Sequence, residues 1–314
     1  MPSLIELVRK CDCFPYDDDD QHIPKSKLIP FTLFGRKIGL LFPDVVEKLK
    51  EYNNRFIVKP FDISEKSVTF GKEINTLDER NAVIKQLFDT WREEDAFVHL
   101  RGWRDELYPV YGDPSNTNNV AFIIERAASN LFGISTFGVH LNAYTRMSDG
   151  KLKMWIGKRA SSKPSWPGWL DNAVAGGITH TQSVKETLIK EAMEEASLPS
   201  HIAEKAQSVG AIAYFYATRT ELQPETQYIY DLELPVDVVP KPNDDEVECF
   251  YLWDLNELEQ HLRNGEFKPN CGLVVIDFLI RHGVITPDNE PDYLELFSGL
   301  HRRLGYPGPS KVTK

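Results

Sequence analysis

The sequence predicts an α/β fold, a sandwich preceded by a smaller α+β domain, and three observations carry the prediction. Strand-like segments at 138–145, 153–158, 209–217, 226–234 and 247–253 surround one strong helical pattern at about 183–197, without the regular strand–helix alternation of a doubly wound sheet. The stretch DPSNTNN at 113–119 is the clearest turn-rich break, and the style of the sequence changes beyond it. A length of 314 residues favours about two domains. With the boundary near 135, an amino-terminal accessory α+β domain spans 1–135, and a sandwich domain with carboxy-terminal helices spans 136–314.

In chain order, the entry segment closes in the acidic run 17–20, read as a solvated loop. Over 31–39 apolar residues bracket a Gly-Arg-Lys turn, which suggests a hairpin, and 44–52 then carries helical spacing at Val45, Val46 and Leu49. The pattern recurs over 78–91, where Val83, Ile84, Leu87 and Phe88 form the apolar stripe. Ile123, Ile124, Ala127, Ala128 and Leu131 read as a helix stopped by Gly133. The strands 138–145 and 153–158 flank the turn Ser148-Asp149-Gly150. Helices are expected at about 254–263, 271–282 and 291–303, with a frayed tail at 307–314.

Composition excludes several classes of function. Hydrophobic residues at 41% against 26% charged give the balance of a globular chain and not of a disordered one. No apolar run approaches the roughly 18 residues of a membrane helix, so no membrane partner is expected. Thirty-six Lys and Arg against 47 Asp and Glu leave a net charge of −11, which argues against nucleic acid as a partner. The four cysteines, Cys11, Cys13, Cys249 and Cys271, are too few for a disulfide scaffold and read as reduced thiols. The amino end lacks a signal-peptide core and an import-like Arg-rich pattern, so a cytoplasmic or nuclear location is expected.

The informative stretch is AGGITHTQSVKETLIKEAMEEASL at 175–198. Ser183 followed by Glu186 forms a possible capping box. On a helix, Ile189, Ala192, Met193 and Ala196 share one face, while Glu191, Glu194 and Glu195 cluster over about 100° of arc away from it. Clustered carboxylates repel by a few tenths of a kcal/mol per pair, so a bare helix gains nothing from them. A hard divalent cation, which takes oxygen ligands and also grips phosphates, explains the arrangement. A solvated acidic face is the ordinary alternative, and the surrounding spacing argues against it.

That spacing resembles the Nudix hydrolase signature, G-x5-E-x7-R-E-U-x-E-E-x-G-U with U aliphatic. Gly176, Gln182, Lys190, Glu191, Ala192, Glu194, Glu195 and Leu198 align with it, with Gln182 in place of a Glu, Lys190 of an Arg and Ser197 of a Gly. The resemblance implies a Nudix-type α/β/α sandwich in which Glu191, Glu194 and Glu195 bind Mg²⁺, or Mn²⁺ in its place. Gly176 and Gly177 form the loop that approaches the ions, Gly176 counting among the metal contacts. Lys190 keeps the charge of the family's Arg without its planar fork and is expected to orient a carboxylate.

The segments GWRDELY at 102–108, IERAASNLFGISTFGVHLNAY at 124–144, WPGWLDNAVAGG at 166–177, NDDEVECFYL at 243–252 and FKPNCGLVVIDFLIRHGVI at 267–285 resemble the thiamine pyrophosphokinase-related Nudix branch of fungi and plants. The likeness runs from about 30 to 305. It implies a diphosphatase acting on a small-molecule diphosphate: thiamine diphosphate and, preferentially, its oxidised or damaged forms. The competing readings are a Nudix-fold binding module without turnover and a hydrolase of ADP-ribose or NADH. An isoprenoid diphosphate isomerase needs a cysteine near the box, and none lies between 14 and 248.

Other residues extend the candidate site. Glu246 and Glu248 alternate in EVE, and an extra downstream Glu is a common Nudix ligand or base; Glu246 is assigned to the metal and Glu248 to catalysis. Arg159 and Lys163 precede the box and are candidates for the diphosphate, as is Lys268 more remotely. His140 and Asn142 alternate on one strand, where they face a pocket together or form a buried pair. Trp169, with Trp166, offers a ring to a heterocycle.

Overall fold

The computed structural model describes residues 3–16, 23 and 25–310. The acidic run 17–20 and the last residues of the tail lie outside the described residues. Two compact units divide the chain: one is Phe14–Thr136, Phe215–Glu225 and the chain from Leu304, and the other is the chain up to Cys13, Phe137–Tyr214 and Thr226–Arg303. Residues 3–13 therefore group with the second unit and not with the amino-terminal domain expected over 1–135. Helix α1 (Leu4–Cys11) buries Leu4, Leu7, Val8 and Cys11. It packs within the second unit, where Leu7 and Val8 lie against Gly272 and Gly299.

In the amino-terminal unit, β1 (Ile29–Leu33), β2 (Arg36–Leu41), β3 (Phe61–Ile63) and β4 (Val68–Phe70) form a sheet in the order β2-β1-β4-β3. The hairpin expected over 31–39 is present. Leu33 pairs with Arg36, so its turn is Phe34-Gly35, with φ of 49° and 74°, the left-handed pair a tight hairpin requires. Helices α2 (Pro43–Asn53) and α3 (Leu77–Glu93) follow the predicted periodicity, and Thr76 and Glu79 cap α3 reciprocally. The helix read through Ile123 to Leu131 is a misreading. Residues Val120–Glu125 are a strand, β6, paired antiparallel with β5 (Leu107–Tyr111), and only α4 (Arg126–Ser129) is helical. Adjacent β-branched Ile123 and Ile124 favour the pleat once a partner strand is at hand.

The second unit is the predicted α/β/α sandwich. Its sheet comprises β7 (Thr136–Arg146), β8 (Leu152–Arg159), β9 (Leu170–Asp171), β10 (Val174–Gly177), β11 (Gln207–Ala217), β12 (Leu222–Glu233) and β13 (Val247–Asp254), the strand ends within 215–225 counting with the first unit. The order is β11-β12-β7-β8-β13, with β10 added to β7 and β9 to β8. Helix α5 (Val184–Ala196) covers one face, followed by the short α6 (Ser200–Ala203). Helices α7 (Leu255–Arg263), α8 (Pro269–Arg281) and α9 (Tyr293–Gly299) follow, the last ending four residues before the expected 303. Alternation along β7 sorts its side chains. Val139, Leu141 and Ala143 join Leu188, Ala192 and Ala196 of α5 in one core cluster. His140, Asn142 and Tyr144 take the other face, where Tyr144 meets Phe278 of α8.

Candidate active site

The site is built where α5 lies across β10. Ser183 and Glu186 form the predicted capping box, so the start of α5 is set by its own first turn. The helix is rotated from the expected face: Leu188, Ala192 and Ala196 are buried, whereas Met193 is 40% exposed. Taking Leu188 as the centre, helical geometry puts Glu195 about 20°, Glu191 about 60° and Glu194 about 120° around the axis on the same side. Burial follows that order. Two of the three glutamates are thus drawn towards the sheet.

Gly176 explains how Glu191 fits. A Cβ on Gly176 would lie 2.4 Å from Glu191 Cγ, 2.7 Å from Cδ and 3.0 Å from Oε1, so the carboxylate stem occupies the space a side chain would fill. Glu195 reaches further. Its Oε2 accepts the Ala175 backbone N–H at 2.9 Å, and although part of its surface is accessible, its carboxyl is held well above the usual range, by burial first and then by Asp171, Glu191 and Glu246. Glu191 is raised as well, again by burial first, with Glu194 and Glu246 adding to it against the opposing Lys190.

Lys190 Nζ lies 3.1 Å from Glu191 Oε1 and 2.8 Å from Glu194 Oε2. Burial works against its charge, yet the two carboxylates hold the ammonium above its ordinary value. As the side chains stand, no group of three or more His, Cys, Asp or Glu is gathered into a metal cluster among the described residues. Lys190 supplies the neutralising charge instead. The residues nonetheless fit a hard divalent ion in donor chemistry: Glu191, Glu194 and Glu195 offer carboxylate oxygens, two of them raised by burial first and by neighbouring acids after it, and Gly176 leaves room for the Glu191 carboxylate.

The remaining predicted residues separate. Glu246 ion-pairs with Lys163 at 2.5 Å and acts on both Glu191 and Glu195. Glu248 does not alternate with it, because pairing of β13 with β8 shifts register between Val247 and Cys249, and Glu248 instead pairs with Lys158 at 2.9 Å. Arg159 is not open to a diphosphate. Its Nε donates to Trp166 O at 3.1 Å, Nη2 to Ser165 O at 3.0 Å and Nη1 to Asp171 Oδ2 at 2.8 Å, so the guanidinium anchors the loop 160–169. That loop carries Trp166 and Trp169, edge-to-face at 4.8 Å.

His140 and Asn142 are buried and lie on the sheet face opposite α5, each engaged with a polar partner of its own. His140 Nδ1 is 2.7 Å from Asn172 Oδ1, and burial pushes the imidazole down to about 4. Asn142 donates to Asp231 at 3.0 Å, which also receives Arg281 of α8. Gln182, in place of the signature's Glu, accepts from the Thr179 and Thr187 hydroxyls at 3.4 Å and ties the loop to α5.

Sequence reasoning missed Asp171. Burial alone would raise its carboxyl, but Lys268 and Arg159 hold it at about 2, and Cys271 and His140 contribute in the same direction. Asp171 is the first charged group acting on Glu195 after burial itself. Cys271 adjoins it, and burial pushes that thiol up, leaving it unreactive. The only signal was Asp-Asn before a strand, which reads as turn chemistry.

The NUDIX domain family matches residues 138–271, and a domain of unknown function, DUF4743, matches 3–136. Uncharacterized protein YJR142W of Saccharomyces cerevisiae is 36% identical over 320 residues, covering 97% of this chain and 92% of the relative. Nudix hydrolase 20, chloroplastic, of Arabidopsis thaliana is 36% identical over 283 residues, covering 88% of this chain and 74% of the relative. Nudix hydrolase 24, chloroplastic, of the same plant is 35% identical, covering 88% and 73%. This chain belongs to the Nudix hydrolase family, enzymes that hydrolyse diphosphate linkages.

Proposed function

We propose that this Nudix hydrolase cleaves thiamine diphosphate, and more readily its oxidised derivatives, to the monophosphate and inorganic phosphate with Mg²⁺ or Mn²⁺ as cofactor. The observation that carries the chemistry is Glu191 seated against Gly176, with the half-buried Glu195 accepting the Ala175 backbone N–H beside it. Glu191, Glu194 and Glu195 hold the cation, and Glu246 lies close enough to act on two of them. Bound there, a divalent ion supplies Lewis acidity that neutralises phosphate charge. Lys190 positions Glu191 and Glu194, and Arg159 fixes the loop whose two tryptophans present ring faces to a heterocycle.

The substrate reading rests on the resemblance of the five quoted segments and on one chemical constraint. Intact thiamine carries a cationic thiazolium, whereas oxidation at the ring carbon neutralises it and adds a carbonyl. A pocket with one placed donor separates the two strongly, because the wrong form leaves a buried group unpaired. The net charge of −11 favours a small-molecule partner over a nucleic acid.

The test is chromatographic measurement of substrate loss and product formation, with Mg²⁺, for thiamine diphosphate, its oxidised derivatives, ADP-ribose, NADH and dinucleoside polyphosphates. The expected order puts oxidised thiamine diphosphate first in kcat/KM, and Glu194→Gln or Glu195→Gln lowers kcat by orders of magnitude with the fold retained. Preference for ADP-ribose or NADH overturns the substrate and spares the chemistry. Wild-type rates in both variants overturn the metal assignment.

A further inference from the structure

We propose that Lys163 is a positioning residue that sets the metal affinity of the site: it holds Glu246 in an ion pair that must open before Glu246 serves the cation. The inference rests on the metal reading given above to Glu191, Glu194 and Glu195. Lys163 Nζ lies 2.5 Å from Glu246 Oε2. The lysine side chain is 13% exposed and the glutamate side chain 49%. Lys163 is thus mostly covered, whereas Glu246 stands half in solvent with room to turn.

Hydrogen bonds fix where both partners stand. The chain at 241–246 runs from the last turn of α5 to the loop 160–169. At one end the Lys241 N–H donates to Ala196 O at 3.0 Å and Asn243 Nδ2 to Met193 O at 3.1 Å. At the other the Ala160 N–H donates to Glu246 O at 2.9 Å. Met193 directly precedes Glu194, and the three residues from Asn243 to Glu246 span at most about 11 Å, so Glu246 is tethered close to the box helix. The Glu246 N–H donates to Asp244 Oδ1 at 2.9 Å, which sets the turn before β13. The Lys163 N–H donates to Ala160 O at 3.2 Å, within the loop that Arg159 anchors. With both backbones held, only the side chains are left to change partner.

The charge of Glu246 is felt at the box, where it adds to the raised carboxyls of Glu191 and Glu195. A fourth acid beside three is unfavourable without a counter-charge. Lys163 supplies it for Glu246, as Lys190 does for Glu191 and Glu194. An oxygen that accepts from an ammonium is not at the same time open to a hard cation, so the pair and the ion compete for Glu246. Lys190 is part of the box itself. Lys163 comes from a separate loop, which makes its hold on Glu246 removable without disturbing α5.

Calorimetry with Mg²⁺ on the full chain, without substrate, tests this as a double-mutant cycle. Lys163→Met keeps the stem and removes the ammonium, and Mg²⁺ should then bind about two- to fivefold more tightly, the strength of a partly exposed ion pair. Glu246→Gln should weaken binding, and Lys163→Met should add nothing in that background. Lys163→Arg keeps the pair and should return the affinity to the wild-type value. Unchanged or weaker binding in Lys163→Met, or undiminished binding in Glu246→Gln, would overturn the proposal. So would a gain that persists in the Glu246→Gln background, since Lys163 would then act through the general field of the site. Glu195→Gln separates the two readings. Mg²⁺ binding lost there while the cycle fails overturns the role of Lys163 alone, and binding undiminished there overturns the metal reading and this proposal with it.

Discussion

Replacing Gly176 by Ala tests whether the fit between β10 and Glu191 sets the catalytic geometry. The new Cβ would sit 2.4 Å from Glu191 Cγ, well inside the about 3.5–4.0 Å at which carbon atoms pack. Because Cγ is near the root of the side chain, the whole carboxylate stem must swing away. An off-rotamer side chain costs about 1 kcal/mol, and forcing an extra methyl into a packed contact costs about 1–3 kcal/mol. Stability should fall by about 1–3 kcal/mol, seen as a drop of roughly 2–4 °C in Tm per kcal/mol. Activity should fall further, by about 100-fold, since displacement of a ligand by an ångström is enough. Tm and kcat are to be measured for Gly176→Ala, Glu191→Ala and the pair. Without Glu191 Cγ, Cδ and Oε1 the three nearest obstacles are gone, so Gly176→Ala should cost less in the Glu191→Ala background. An equal stability loss in both backgrounds, or wild-type kcat in Gly176→Ala, would refute the reasoning.

Three further outcomes are expected. Ser197 ends α5 in the left-handed region at φ 52°, ψ 28°; that conformation costs a non-glycine about 1–2 kcal/mol and glycine's added chain entropy offsets about 0.5–1 kcal/mol, so Ser197→Gly should raise Tm slightly, and a lowered Tm refutes this. Asp171 is lowered from 3.8 to about 2, so its contribution is complete above pH 3.8 and is lost as pH falls towards 2. It amounts to about 2 kcal/mol. Acid unfolding of Asp171→Asn should therefore be flatter than wild type across that window, and parallel curves would show no such coupling. Lys190→Ala should lower kcat and shift the Mg²⁺ concentration for half-maximal rate, while costing at most about 1 kcal/mol of stability as a partly exposed pair; an unchanged Mg²⁺ titration removes Lys190 from the site.

The box helix was legible because its information is local. A cap, a period and a spacing are all properties of neighbouring residues, and Ser183, Glu186 and the three glutamates needed nothing more. Its rotation was not legible. Met193 and Ala196 differ little in a periodic pattern, but only small Ala192 and Ala196 let α5 approach β10. The strand at Val120–Glu125 was hidden for a related reason: its spacing also suits a helix, and its partner at Leu107–Tyr111 contains Pro109 and carries a weak strand signal.

By itself, then, the sequence determined the sandwich, the box and the donor chemistry, because secondary structure periods and carboxylate spacing act over a few residues. Tertiary structure alone decided which polar residues serve the site. His140 and Asn142 went to the far face of the sheet through β7 alternation, Glu248 was turned to Lys158 by a register shift, and Arg159 was committed to its own loop. It likewise brought Asp171 within electrostatic reach of Glu195 across 24 positions of chain. Burial and charge at a carboxylate depend on what surrounds it in space, and strand pairing with helix packing sets that environment between residues remote in sequence.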